Sequence, residues 1–224
     1  MSHGIALHVH GDRALFSRPE MKAERVSYDV MTPSAARGIL EAVHWKPAIR
    51  WVVDRIRVLR PIRFETIRRN EVASKASYVT ARRAMGDTAA DLPVLHPEED
   101  RQQRASVLLR DVAYVIEAHF EMTDRAGPQD SPAKHADMAR RRIEKGQCVW
   151  QPCFGCREFP AYFEPARPDH VPPADFPDEM DLGWMLHDID FADGMTPRFF
   201  RAKLRRGVLD VNACLRDGPG GAAR

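Results

Sequence analysis

Two short stretches, Thr32-Pro33-Ser34 and Ser131-Pro132, most constrain how this chain can fold. Each sets a hydroxyl N-cap directly before proline, the residue best suited to a first helical position. Behind the first, Ala36, Ile39, Leu40 and Val43 recur at helical spacing until Pro47 ends the segment, leaving His44, Trp45 and Lys46 in its last turn. Behind the second, a helix of about four turns runs to Gly146, which stands where a left-handed C-cap belongs. Its opening turn carries Lys134 and His135, at the end where free N–H groups and the helix dipole favour an anion.

Around these helices the pattern is β. Ile5 to His10 alternates as a first strand, and Ala48–Leu59 and Ile62–Ile67 set arginine against Ile, Val and Phe, giving one basic face and one core face. Arg68 to Arg104, with Gly86, Pro93 and Pro97, reads as an inserted hairpin or mobile loop. Val107–Met122 is a long strand with Val112, Tyr114, Ile116, Ala118 and Phe120 on one face. After the second helix come an extended Cys- and aromatic-rich segment, Gln147–Phe163, and a proline-rich connection, Pro165–Pro177. Leu182–Phe191 and Arg198–Val211 complete the pattern, with Arg206-Gly207 suited to a hairpin turn.

The order strand, helix, strand, strand, helix, strand predicts an α+β, ferredoxin-like (RNA-recognition-type) βαββαβ domain, with the inserted hairpin and a small antiparallel β C-terminal subdomain. The expected division is 1–163 for the ferredoxin-like domain, 164–215 for the β-rich part and 216–224 for a flexible tail. In that fold the helices lie antiparallel on one sheet face, so His44 is expected to approach Lys134 and His135.

The 34 basic residues nearly balance 32 acidic ones, for a net charge of +2, but the signs are segregated. Arg50, Arg55, Arg57, Arg60, Arg63, Arg68 and Arg69 crowd one stretch, whereas Asp169 to Asp193 carries acids and no Lys or Arg. Arginine suits bidentate phosphate contacts, and a basic sheet face is costly unless solvent or a polyanion meets it. The candidate RNA contacts are therefore Arg57, Arg63 and Arg68 on the strands, Arg140 and Arg141 on the second helix, and Lys46. Trp45 and Tyr78 are candidate base-stacking residues. Duplex DNA is an alternative ligand for the same face. The run Arg140 to Arg142 also reads simply as a solvated helix face.

Cys148, Cys153 and Cys156 form C-x4-C-x2-C without a second CxxC or a zinc-finger histidine pair, so free thiols are expected, with no metal and no cofactor. Neither a signal-peptide pattern nor a membrane-length apolar run is visible, so the expected location is cytoplasmic, with no membrane partner.

Taken singly, His44 and His135 have structural readings: one as a dipole-favoured residue at a helix C-terminus, the other on a surface turn. Together with Lys134 they match metal-free ribonuclease chemistry, which needs a base for a ribose 2′-hydroxyl, an acid for the leaving 5′-oxygen and a cation for the phosphorane. The helix dipoles would lower the proton affinity of His135 and raise that of His44, suggesting base and acid respectively.

Several segments carry a resemblance: Val26-Ser27-Tyr28-Asp29-Val30-Met31-Thr32-Pro33-Ser34-Ala35-Ala36-Arg37-Gly38-Ile39-Leu40-Glu41-Ala42, His44-Trp45-Lys46-Pro47, Lys134-His135, Gly146-Gln147-Cys148 and Gly155-Cys156-Arg157-Glu158-Phe159. Through them, from about Ile5 to Val211, the chain resembles the fifth family of CRISPR-associated proteins, Dvulg (type I-C) subtype, of the RAMP superfamily. The resemblance implies a metal-independent endoribonuclease that cuts CRISPR repeat precursor RNA at the base of its hairpin, leaving a 5′-hydroxyl and a 2′,3′-cyclic phosphate. It also implies that the enzyme stays on the 5′ handle within a type I-C surveillance complex, with the backbone and large subunits as partners. Family members place a tyrosine, a lysine and a histidine in the site. The last two match Lys134 and His135, and His44 stands at the tyrosine position. The alternatives are a non-cleaving, handle-binding subunit and a non-specific duplex-DNA binder.

Overall fold

The structure, a computed structural model, describes residues 4–21, 24–75, 77–86, 96–191 and 193–217. Strand β1 (Ile5–Ala14) continues past the expected end at His10, with Ile5, Leu7 and Val9 inward. After the short β2 (Arg25–Val26) comes α1 (Pro33–Val43), opened by the Thr32 side chain, which accepts the Ala35 N–H. The helix stops one residue before His44, whose backbone is extended, so Trp45 and Lys46 lie beyond it rather than in its last turn. The last carbonyls of α1 are taken up from outside the helix: Arg142 Nη1 donates to Val43 O at 2.8 Å and Val149 N to Ala42 O at 2.8 Å.

Strands β3 (Ile49–Val58) and β4 (Phe64–Val72) follow, then α2 (Tyr78–Gly86), which the sequence reading did not anticipate. None of its residues is buried, so it has no apolar face to leave a periodic signature. Strand β5 (Arg101–Met122) begins earlier than Val107, because β4 and β5 stay paired out to Val72 and Arg101. The inserted hairpin is thus built of β4 and the first half of β5, and 87–95 of its connection lies outside the described residues.

Helix α3 (Pro132–Glu144) closes as expected. Gly146 has φ +61°, Gln147 N donates to Arg142 O at 2.8 Å and Gly146 N to Ile143 O at 3.2 Å, a Schellman arrangement. Then come β6 (Tyr162–Pro165), β7 (Met180–Asp190), β8 (Thr196–Arg205), β9 (Val208–Asp210) and α4 (Val211–Asp217). The β8–β9 turn is at Arg206-Gly207, both at positive φ (48° and 75°), as the type I′ geometry requires. Residues 216 and 217 of the expected tail are helical, and 218–224 lies outside the described residues.

Few helices cover a large, mainly antiparallel sheet of order β6-β1-β5-β3-β9-β8-β7, with β2 and β4 also paired to β5. Strand β5 organises it. Its second half pairs with β3 (Ile49↔Met122 to Val58↔Tyr114) and its first half with β4, and Asp111 marks the junction with φ 51°. Its inward face is the predicted one: Val112, Tyr114, Ile116, Ala118 and Phe120 are buried with Ile39 and Leu40 of α1 and Ala136 and Ile143 of α3.

Several residues that carry the family resemblance are structural. Tyr28 is buried and its hydroxyl accepts the Leu186 N–H at 3.3 Å. Arg37 forks onto Asp188 at 2.6 and 2.8 Å, tying α1 to β7. Gly155, at φ +83°, passes so close to the end of β1 that a Cβ would lie 2.0 Å from Leu15 O.

The charge segregation also resolves within the fold. Asp181 meets Arg201, Glu179 meets Lys203 and Arg205, and Asp190 and Asp193 meet Arg198, all across the β7–β8 hairpin. Among the described residues no helix is long and apolar enough to cross a membrane.

Candidate active site

The site forms where α1 ends and α3 begins. Because His44 is extended, its ring turns beneath the surface, and the chain is pinned there by Trp51 Nε1, which donates to His44 O at 2.8 Å. On the facing helix, Ser131 accepts the Lys134 N–H at 3.3 Å and fixes the first turn, which carries His135 inward and Lys134 outward. The expected convergence is found: His44 Nε2 lies 3.2 Å from His135 Nδ1. Both imidazoles are buried, at 0% and 1% exposure, and Phe120 sits edge-on to His135.

His135 Nε2 is 3.1 Å from Asp130 Oδ1, and the other carboxylate oxygen of Asp130 accepts the Gly127 N–H at 3.0 Å. Sequence reasoning missed Asp130, although an acid immediately before the N-cap of an anion-seeking helix was a usable signal. Lys134 Nζ donates to Gln129 O at 3.1 Å and lies 3.8 Å from Asp130 Oδ1, with its side chain half exposed. At the other end of the chain of groups, His44 Nδ1 is buried with no hydrogen-bond partner among the described residues.

The electrostatics of His44 are the reverse of the sequence expectation. Burial, with Arg142, His135 and Lys46 nearby, pushes its pKa down to about 4. The helix end that was expected to raise it is already neutralised, since its carbonyls are bonded to Arg142, Val149 and Trp51. Asp130 is held below the usual carboxylate range by the Gly127 N–H and by its hydrogen bond to His135.

Trp45 and Lys46 are exposed beside this centre, and Arg140 and Arg141 are exposed further along α3, with Arg140 3.6 Å from Asp137. Arg68 is not brought to the histidines, because it pairs with Ala105 at the end of β5 remote from Phe120. Tyr78 is exposed on α2. The basic sheet face is a correction: Arg50 pairs with Glu121, Arg55 with Asp210, Arg57 with Glu117, Arg60 with Asp111 and Arg69 with Glu158. Acids opposite them on neighbouring strands and loops balance the face, and of the seven arginines only Arg63 and Arg68 lack a carboxylate partner among the described residues.

Potential metal ligands gather elsewhere. His8, Glu164 and His170 bring one ligand atom each within 4.8 Å of one another, at the β1–β6 edge. The Arg167 guanidinium stands 3.2 Å from His170 Nε2, and the Arg167 N–H donates to His170 Nδ1 at 3.2 Å, so neither ring nitrogen is presented to an ion. Cys148 is exposed, and burial raises the thiol pKa of Cys153 and Cys156.

A family model described as CRISPR-associated protein (Cas_Cas5) matches residues 4–212. The CRISPR pre-crRNA endoribonuclease Cas5d of Mannheimia succiniciproducens is 56% identical over 218 residues, covering 94% of this chain and 96% of that protein. The protein of the same description from Thermus thermophilus is 40% identical over 231 residues, covering 93% and 91%. Among solved structures, a CRISPR-associated protein superimposes with a TM-score of 0.70 at 22% identity over 97% of this chain and 95% of that one. A functionally uncharacterized protein of Streptococcus mutans follows at 0.64 and 22%, over 93% and 91%, and both likenesses speak to the fold. With matches of this extent along nearly the whole chain, the protein belongs to the Cas5 family of CRISPR-associated proteins, in its Cas5d branch.

Proposed function

We propose that the chain is a metal-independent endoribonuclease that processes CRISPR repeat precursor RNA and stays bound to the 5′ handle in a surveillance complex. The reading joins the names of the two relatives to one observation, the approach of His44 and His135 to 3.2 Å from helices far apart in sequence. The strand order β6-β1-β5-β3, with α1 and α3 as the connecting helices, supports a ferredoxin-like domain over 1–163. The β7–β9 strands form the smaller part over 164–215. Backbone and large subunits of a type I-C complex are the partners, through which the handle is retained.

In the reaction, His44 Nδ1 takes the proton of the 2′-hydroxyl as its oxygen attacks phosphorus. The bond to O5′ breaks, O5′ takes a proton from the Lys134 ammonium, and 2′,3′-cyclic phosphate and 5′-hydroxyl ends result. The His44–His135 pair then returns the proton to Lys134. His44 is thus the base rather than the acid that the helix dipole alone suggests, because its imidazole is held neutral at physiological pH and has a free lone pair for a proton. Both rings are buried in the free protein, so RNA must shift the surface above His44, where Trp45 and Lys46 are exposed side chains.

The test is incubation of a labelled repeat hairpin in EDTA with wild type and with His135→Ala. Cleavage by wild type and a loss of about 10²–10⁴-fold in the variant are expected. Undiminished cleavage by the variant would move the centre elsewhere. No cleavage by either would make the chain a handle-binding structural subunit.

A further inference from the structure

We infer that Asp130 is a positioning residue that fixes both imidazoles of the centre in one tautomer, leaving His44 Nδ1 as the one ring nitrogen open to take a proton from the RNA. The argument starts at the carboxylate. Asp130 is ionised at neutral pH and can only accept, so His135 presents N–H at Nε2, 3.1 Å away. A neutral His135 then has its lone pair on Nδ1, which accepts from His44 Nε2 at 3.2 Å. His44 therefore carries its proton on Nε2 and its lone pair on Nδ1, the buried atom left without a partner among the described residues. Each assignment forces the next, and an unpartnered acceptor at the end of a hydrogen-bonded chain is where a substrate hydroxyl completes the set.

The carboxylate can impose this order because it is held. One oxygen receives the Gly127 N–H, and Lys134 lies 3.8 Å from the other. The groups facing the two rings from packed elements are Arg142 of α3, Lys46 and Trp51 on the His44 side, and Phe120, Lys134 and Asp130 on the His135 side. Burial and the cations around His44 disfavour an imidazolium there, so a proton arriving at Nδ1 drives the Nε2 proton to His135, beside a carboxylate. The imidazolium then forms beside the Asp130 carboxylate. The proton moves from oxygen to His44 Nδ1 and from His44 Nε2 to His135 Nδ1, and nothing is oxidised or reduced.

The cleavage step rests on the proposed ribonuclease reading, whereas the tautomers do not. The experiment uses full-length protein with ¹⁵N-labelled histidine, as wild type, Asp130→Asn and Asp130→Glu, with thermal melting to confirm folding. Long-range ¹H–¹⁵N spectra are expected to show both His44 and His135 protonated at Nε2 in wild type, and His135 without a single tautomer in Asp130→Asn. Repeat-RNA cleavage by Asp130→Asn is expected to fall on the order of 100-fold in kcat, with KM little changed and the acidic limb of the pH profile displaced, and Asp130→Glu should recover part of it. His135 protonated at Nδ1 in wild type, or an Asn variant with wild-type rate and pH profile, would overturn the inference. If wild type cleaves nothing, the ribonuclease reading fails and the spectra alone decide the role of Asp130.

Discussion

Arg142 shows how a single side chain serves structure and electrostatics together. The guanidinium completes the end of α1 through Val43 O and also helps hold the His44 imidazole neutral. Arg142→Ala should lose about 1.5–3 kcal/mol, the scale of a charge-assisted hydrogen bond, and let the His44 pKa rise, read by chemical denaturation and by NMR titration. The pKa of His44 is lower folded, about 4, than unfolded, near 6.5. The unfolded chain therefore binds more protons in that window, and stability is lost as pH falls from 6.5 towards 4. His8 and His187, also held low by burial, act in the same direction. His44→Tyr should flatten, but not abolish, the fall in denaturation midpoint with pH between those limits. The pairing of His44 with His135 was legible in the sequence because a fold pattern predicted it. The protonation of His44 was not, because Arg142, Val149 and Trp51 reach the helix end through tertiary contacts.

Among the elements, α1 and α3 were readable because capping is local chemistry. Thr32 accepts the Ala35 N–H at 3.2 Å, and Thr32→Ala should destabilise by roughly 1 kcal/mol, measured by urea unfolding. Helix α2 was unreadable because it buries nothing, and the reach of β4 and β5 because the residues of their outer ends, Arg68–Val72 and Arg101–Ala105, are mostly polar. The Gly155 motif was recognisable without its cause being visible. That cause is the Leu15 carbonyl, so Gly155→Ala should lower stability by well over the roughly 1 kcal/mol typical of a glycine-to-alanine change, seen as a large drop in Tm. The acidic run from Asp169 to Asp193 read as segregated charge in one dimension, yet antiparallel pairing sets its β7 acids against basic residues of β8.

At the scale of the whole molecule, nucleic-acid affinity cannot be read from the number of arginines. Paired surface arginines exchange one weak partner for another when phosphate arrives, since exposed ion pairs contribute only about 0–1 kcal/mol. Arg63 and Arg68, without such partners, should contribute fully to counterion release. Arg63→Ala or Arg68→Ala is expected to reduce the slope of log affinity against log salt by about 0.7–0.9 for repeat RNA, and Arg55→Ala by less. Strand β5 has a further consequence, for the order of assembly during synthesis. Its inner half is the neighbour of both β1 and β3, with Ile5 opposite Ala118. On the ribosome β1 must therefore wait for more than a hundred residues to follow it, on the order of ten seconds at common elongation rates. Until then the edges of β1 and β3 are unpaired, which makes the nascent chain, rather than the finished protein, the state most exposed to aggregation and most in need of a chaperone.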